Sequence, residues 1–335
     1  MINLSGITRE NFSKKKIVIV GDLVADQFLR GTIVRVSREA PVFILKHDET
    51  ETSPGGAANA AVNVAALGGN AVLIGIAGED SNGDALLEKL RALNVDCQYA
   101  IRSATHRTTT KVRVLAGQHY APRQQVIRID YENGAEIAAG LQRKLKDNLI
   151  AATTKADAII ISDYNYGVAS EAIAETARKI AVENKISLLV DSRFNLKNFP
   201  GATTATPNYD EVEQILGADF TENDCIRLCE TLQYESLLMT RGNQGMLLIE
   251  KNKPPLHIKA VGSEEPVDVT GAGDTVIAVY ALALASGLSF ADAAHAANHA
   301  GGIVVMKKGT AAVDIDELLS SLKSVQPEHK TQTGL

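Results

Sequence analysis

Eight consecutive residues late in the chain, Asp268-Val269-Thr270-Gly271-Ala272-Gly273-Asp274-Thr275, have the types and spacing to handle a phosphate. They run directly into an apolar stretch, Val276 to Ala285, that reads as a buried helix. Glycine at 271 and 273 lets the backbone pass close to a ligand, and a helix start leaves N–H groups without intrahelical acceptors. Those donors and the positive end of the helix dipole form a seat for an anion. A carboxylate at Asp274 would repel that anion unless it takes a proton from the group attacking it. The competing reading is that Asp274 caps the helix, a common role for Asp. Thr270 could cap it alone, which favours the chemical role.

A second glycine-led start, Pro54-Gly55-Gly56-Ala57-Ala58-Asn59, places Asn59 in a first helical turn. There its amide would reach a hydroxylated ligand or brace the glycine turn. The chain has no Gly-x-x-x-x-Gly-Lys-Ser/Thr, which excludes a Walker loop. It also lacks a strand-coupled Gly-x-Gly-x-x-Gly and a Gly-x-Ser-x-Gly elbow, which weighs against a dinucleotide enzyme and a hydrolase. Cys225 and Cys229, like His295 and His299, are spaced to share a helix face. Neither pair has further ligands nearby, so packing is expected for the cysteines, and packing or contact with a ligand's ring for the histidines.

The elements that must position these residues are legible as apolar runs. Lys16–Gly21, Ala71–Ile76, Ala158–Ser162, Ser187–Asp191 and Glu235–Thr240 read as buried strands. Helical patterns lie between them at Ala57–Leu67, Gly83–Leu93, Ile137–Ala151, Ala169–Glu183 and Glu211–Leu216. Such alternation predicts an α/β fold whose parallel sheet is covered on both faces. Acidic residues at the strand ends, Asp22, Asp163 and Asp191, then converge where ligands bind in open α/β sheets. Residues 31–48 and 108–130 break the alternation with strand-like patterning and no helix signal. They are expected to form a small antiparallel sheet serving as a lid, a dimer surface or an edge extension.

Composition bounds the function. The chain has 335 residues, 45% of them hydrophobic, enough for one large α/β domain or two smaller ones. A net charge of −6 and a pI of 5.7, with no dense Lys/Arg run, argue against a nucleic-acid partner. No apolar run exceeds about ten residues, too short to span a bilayer, and the N-terminus lacks a signal pattern. Three unevenly placed cysteines imply no disulfide framework. A cytoplasmic protein with no membrane partner is expected.

The two glycine-led motifs together resemble the two signatures of the ribokinase-like (PfkB) carbohydrate kinases, over about Lys16 to Leu322. Thr206-Pro207-Asn208-Tyr209-Asp210-Glu211 is similar to that family's Asn-x-x-Glu element, associated with magnesium and phosphate. Thr240-Arg241-Gly242-Asn243-Gln244-Gly245 resembles its nucleotide loop, and Asn298 to Gly309 its adenine-side segment. The branch most resembled is the heptose 7-phosphate kinases, on Gly21–Asp26, Arg35–Val42, Gln124–Asp130 and Ser162-Asp163-Tyr164. In the bifunctional heptose enzymes an adenylyltransferase domain follows the kinase. This chain ends first, so the likeness is to the stand-alone kinase. Two departures lie near the presumed sugar end: Arg38 stands where the family usually has Pro, and 116–122 looks like a lengthened turn.

The resemblance implies one ribokinase-like domain, residues 1–325, with a β lid from about 31–48 and 108–130 and a disordered tail at 326–335. It implies ATP-dependent phosphorylation of a sugar phosphate, with Asp274 as base. Backbone N–H groups of Gly271, Ala272 and Gly273 would hold the developing charge. The sugar would meet Asp26, Gly55, Gly56, Asn59 and Asp163, and ATP would meet Asn208, Thr240, Gly242, Gly245 and Asn298. Mg²⁺ would be held, mainly through water, by Asn208 and Glu211, with Asp268 beside the K⁺ site that many relatives use. Lys111, Arg113 and Arg128 would bind the sugar's phosphate, or equally would form a solvated strand face. An ordinary carboxylate, near pKa ~3.9, makes Asp274 a weak base. Exposed lid edges suggest a homodimer through the lids.

Overall fold

Strands form where the apolar runs predict them because alternate side chains are buried on opposite faces of one sheet. Val18, Val20, Ile159 and Ile161 pack into one core, and Ile17, Ile19, Ile160 and Leu189 into another. The computed structural model describes residues 3–118, 123–134, 136–263 and 265–323. The expected disordered tail, 326–335, lies outside them, as do 119–122 of the lengthened turn.

In chain order the elements are α1 (Arg9–Ser13), β1 (Lys16–Gly21), β2 (Leu23–Val36), β3 (Phe43–Gly56), α2 (Ala57–Ala66), β4 (Asn70–Ile74), β5 (Ile76–Gly78) and α3 (Ser81–Ala92). Next come β6 (Ile101–Ser103), β7 (Thr109–Gly117), β8 (Gln124–Tyr131), α4 (Ala139–Ala152), β9 (Ala158–Asp163), α5 (Glu171–Asn184), β10 (Ser187–Ser192) and β11 (Thr204–Ala205). The chain continues through α6 (Tyr209–Leu216), α7 (Glu222–Thr231), β12 (Ser236–Thr240), β13 (Met246–Glu250), β14 (Leu256–Ile258), α8 (Ala272–Ala285), α9 (Phe290–Val304) and α10 (Ile315–Lys323).

The main sheet has eight strands in the order β14-β13-β12-β11-β10-β9-β1-β4. The strands from β4 to β12 are parallel, while β13 pairs antiparallel with both β12 and β14. The parallel strands therefore all point their carboxyl ends to one edge. Helices α2, α8, α9 and α10 pack on one face, and α4, α5 and α7 on the other. Among the described residues no helix is long and apolar enough to cross a membrane.

A separate four-stranded sheet, in the order β3-β2-β7-β8, stands at that edge. It corrects the expectation of a purely antiparallel lid, because its two antiparallel hairpins join through a parallel β2–β7 pair. It is also larger than 31–48 and 108–130, since β2 starts at Leu23 and β3 ends at Gly56. Arg38 sits in the exposed turn at its far tip, twelve residues beyond Asp26 (38 − 26) along nearly continuous strand. At ~3.3 Å per residue it stands at most roughly 40 Å from the Asp26 end, and it is not among the residues lining the cavity beside that end.

Candidate active site

Helix α8 begins without a side-chain cap, and its N-cap Gly271 has φ 78°. A Cβ at Gly271 would lie 2.5 Å from Asn59 Nδ2, so this left-handed turn against α2 requires glycine. The Ala272 N–H donates to Val269 O at 3.2 Å, which removes it from the trio expected to cradle charge. Among the described residues the N–H groups of Gly271, Gly273 and Asp274 have no protein acceptor. At Gly273 a Cβ would meet only Asp191 Oδ2, at 3.9 Å, so open space lies on that side of the turn.

Asp274 caps nothing; nor does Thr270. The Asp274 carboxylate is buried between α2 and the loop after β9. Its Oδ2 accepts from Asn59 Nδ2 at 2.8 Å and its Oδ1 from the Tyr164 hydroxyl at 3.2 Å. One turn along, Thr275 Oγ1 donates to Asn63 Oδ1 at 2.8 Å, so two polar pairs fasten the starts of α2 and α8 together. Burial pushes the Asp274 pKa up to about 7. The bonds from Asn59 and Tyr164 hold it back, Asp26 adds to the rise and Lys111 opposes it. The expectation of an ordinary, weakly basic carboxylate is thereby overturned: burial makes Asp274 a proton acceptor matched to neutral pH.

The acidic strand ends take three different roles. Asp22 accepts backbone N–H bonds from Tyr164, Tyr166 and Val168 at 2.9, 3.0 and 3.1 Å, and so shapes the loop after β9. Asp163 accepts from Asn165 N at 2.9 Å and Ser192 Oγ at 2.7 Å, which makes it a brace between β9 and β10. Asp191 faces the open space before Gly273. Burial raises its pKa far above the usual range, and Asp274, Glu211 and Asp163 raise it further.

Register decides which residues of the small sheet face the cleft. Ser53, Asp26, Lys111 and Asp130 form one cross-strand row, and Glu51, Phe28, Arg113 and Arg128 the next on the same face. Asp26 accepts from Arg113 Nη2 at 3.0 Å. Burial raises its pKa, while the charges of Arg113 and Lys111 oppose that rise. Gly55 is required here, since a Cβ on it would lie 2.3 Å from Asp26 Oδ2. Gly56 closes β3 and is the N-cap of α2, again without a side-chain cap.

Lys111 is no solvated strand residue. It is buried, with its ammonium 5.8 Å from the ring centroids of both Tyr164 and Tyr166. Arg128 is more open and binds Asp130 through two bonds of 2.9 Å. A cavity of about 940 Å³ lies between this face and residues 267–270 and 308–310, with Arg30, Arg113, Arg123 and Lys308 on its wall. Three of those cations are paired, to Glu49 and Glu51, Asp26, and Asp48 respectively. Among the described residues Lys308 has no carboxylate partner. It lies within the Asn298 to Gly309 segment, where the sequence reading gave it no role of its own.

The residues expected on the nucleotide side lie along the same sheet edge. Asn208 bridges to Thr240, whose N–H donates to Pro207 O at 2.9 Å. Asn208 and Glu211 form a capping box at the start of α6, with reciprocal bonds of 2.9 Å. Burial raises the Glu211 pKa, while its bonds from Asn208 and the charge of Arg193 oppose that rise. Gly242 and Gly245 hold the turn into β13 at φ 55° and 83°. The Asn298 amide is committed to Lys259 O at 2.8 Å, so it supports that segment. Asp268 accepts from Thr270 N and Gly309 N, each at 2.9 Å, and these bonds hold its pKa low against burial.

The donor set suits magnesium with its own water. Asp191 and Glu211 are crowded carboxylates offering hard oxygen donors, yet no group of three or more His, Cys, Asp or Glu could hold a metal ion among the described residues. Such an ion would keep much of its hydration shell. His299 bonds Ser321 Oγ at 2.8 Å, and the cysteines at 225 and 229 are buried and free, which fits packing for both pairs.

A family model described as pfkB family carbohydrate kinase matches residues 14–317. The bifunctional protein HldE of Proteus mirabilis is 38% identical over 322 residues, covering 95% of this chain and 66% of its own length. The HldE of Shewanella piezotolerans is 39% identical over 328 residues, covering 96% and 66%. The chain thus spans just under two thirds of the length of these relatives. In fold it is similar to phosphofructokinase-2 from Escherichia coli in complex with potassium, with a TM-score of 0.74 at 19% identity over 92% of this chain and 98% of that one. Ribokinase from Arabidopsis thaliana, complexed with ribose and ATP, gives 0.69 at 19% identity with the same coverages.

The raised Asp274 pKa has a consequence for stability. Its folded value, about 7, exceeds the unfolded value of ~3.9, so its contribution is fully present below pH ~4 and lost as pH rises through 7. Asp274→Asn removes that loss. Thermal melts at pH 8 should show the variant gaining several degrees on wild type, with the gain largely gone at pH 4.5. An equal difference at both pH values would show that the carboxylate is not under this strain.

Proposed function

Given that the chain belongs to the pfkB family of carbohydrate kinases, we propose that it moves the γ-phosphoryl of ATP to the anomeric hydroxyl of D-glycero-D-manno-heptose 7-phosphate, giving the 1,7-bisphosphate. The observation carrying this reading is the buried Asp274 carboxylate, near pKa 7, beside helix-start N–H groups that have no protein acceptor. The choice of heptose rests on the HldE relatives and on the four matching stretches of sequence.

The acceptor hydroxyl sits beside Asp274, and its oxygen attacks the γ-phosphorus as its proton passes to the carboxylate. The new O–P bond forms while the bond to the β-phosphate oxygen breaks, and ADP leaves. Phosphoryl transfer has a loose transition state, so placement and charge stabilisation dominate. The N–H groups of Gly271, Gly273 and Asp274 point at that charge and need no reorganisation to meet it. Asp26 and Asn59 stand toward the sugar hydroxyls; Asn59 also holds Asp274 in place. Asn208, Thr240, Gly242, Gly245 and Asn298 frame the nucleotide side. Mg²⁺ held by water at Glu211 and Asn208 would neutralise phosphate charge, and Asp268 lies beside the monovalent-cation region. ATP as co-substrate suits a cytoplasmic enzyme.

We assign the acceptor's own phosphate to the cavity under the small sheet, where Lys308 has no carboxylate partner among the described residues. The back of that sheet exposes Ile127 and Ile129, 52% and 41% accessible, on edge strand β8. We assign this face to a second copy of the chain. That makes the small sheet both lid and dimer surface.

Three outcomes are expected. In a panel of sugars with and without a terminal phosphate, ADP release should be fastest with the heptose 7-phosphate, and Asp274→Asn should lower its kcat by ~10²–10⁴ with both ligands still bound. ADP release from another sugar alone would replace the heptose assignment. Lys308→Ala should raise the KM for the phosphorylated sugar about tenfold or more, the scale of a lost charge-assisted hydrogen bond, and leave the KM for ATP alone. A matching rise for the same sugar without its phosphate would remove Lys308 from phosphate binding. Light scattering should show a dimer that Ile127→Glu dissociates; a monomeric wild type would end the dimer assignment.

A further inference from the structure

We propose that Tyr164 is the residue that positions Asp274: its hydroxyl fixes the rotation and proton affinity of the carboxylate, on a loop built for that purpose. The inference rests on the reading of Asp274 as base and adds a residue to which neither the family signatures nor the nearby motifs give a role.

Three observations carry it. The Tyr164 hydroxyl donates to Asp274 Oδ1 at 3.2 Å, opposite the Asn59 amide on Oδ2, so one rotamer of the carboxylate satisfies both donors. The loop holding Tyr164 is fixed by the Asp22 carboxylate, which gathers the N–H groups of residues 164, 166 and 168. Left-handed residues Asn165 (φ 64°) and Gly167 (φ 96°) turn the chain between those donors. The ring itself is clamped. A Cβ on Gly56 would come 3.4 Å from Tyr164 Cδ2, and the Lys111 ammonium stands 5.8 Å from the ring centroid on its other contact. Lys111 lies on β7, so the small sheet touches the base through this ring.

Tyrosine suits the task chemically. Burial, then the charges of Asp274 and Asp191, keep its own pKa well above the ordinary value, so it remains an O–H donor at any pH where the enzyme works. The groups facing Asp274 come from every side: Asn59 on α2, Tyr164 after β9, Asp26 on β2, Lys111 on β7 and Asp191 on β10. Tyr164 and Asn59 are the two that bond the carboxylate directly.

The test is Tyr164→Phe, which removes one oxygen and keeps the ring that Lys111 and Gly56 contact. With aspartate labelled at its carboxyl carbon, and the Asp274 resonance assigned by its loss in Asp274→Asn, the titration midpoint of Asp274 should rise by about one pH unit. That is the size expected for losing a hydrogen bond to a charged group. The acid limb of the kcat profile should move up equally, with kcat at neutral pH down about tenfold and both KM values little changed. In the Asp274→Asn background the same change should have no further effect on kcat, since the two residues act as one unit. An unmoved Asp274 midpoint, or multiplicative losses in the double variant, overturns the proposal. The titration does not depend on turnover, so a chain that phosphorylates no sugar in the panel would refute the kinase reading while the Tyr164 contact is still decided.

Discussion

Everything at this site depends on burying one carboxylate between the starts of two helices. An ionised carboxyl removed from water is costly, and here the cost is offset only by two neutral side-chain donors and by distant charge. The result is a group whose proton affinity lies near neutral pH, beside N–H groups that have no acceptor among the described residues. The α2–α8 contact makes this arrangement possible. Asn59 and Asn63 project from one helix to Asp274 and Thr275 on the other. Gly271 lets the second helix start close enough for both bonds to form. Without that approach Asp274 would turn to solvent and regain an ordinary pKa.

The small sheet supplies the other wall, and its register is what matters. Because β2 pairs with β7 in parallel and with β3 antiparallel, Asp26, Lys111 and Ser53 fall in one row, with Arg113 and Phe28 beside them. A slip of one residue would send all of these to the opposite face. Asp26 and Arg113 are a shielded pair on this face, with side chains 7% and 17% exposed. Removing either partner would leave the other charged and desolvated, which costs about 3–5 kcal/mol. Arg113 is therefore tied to the fold, whereas Lys308 has no carboxylate partner among the described residues.

Much of this was legible in the residues. The apolar runs marked the parallel strands, since a strand buried on both faces has no polar alternation to hide it. The glycine-led start of α8 was legible because glycines directly precede an apolar run, and Gly271 takes the left-handed turn there. Less visible were β13, β14 and α10, which are short or amphipathic and gain stability from long-range packing. The parallel joint in the small sheet was also hidden, because alternation shows that a strand exists but does not identify its partner. Tyr164 was quoted within a motif yet given no role. Its contact with Asp274 spans 110 residues and depends on the Asp22 loop, which local spacing does not encode.

Three aspartates at this edge differ in the donors that hold them. Asp22 is buried yet surrounded by three backbone N–H donors that fix the loop, so protonating it would break that loop. Asp268 accepts two backbone N–H bonds in a more open place, and its pKa is held low. It stays ionised and is suited to a cation. Asp274 alone takes its bonds from side chains, an amide and a phenol. These tolerate protonation of the carboxyl, because a neutral acid still accepts through its remaining lone pairs while the backbone around it is held by other bonds. Donor type therefore separates Asp274, held by side chains, from Asp22 and Asp268, which accept backbone N–H bonds and hold the chain in place.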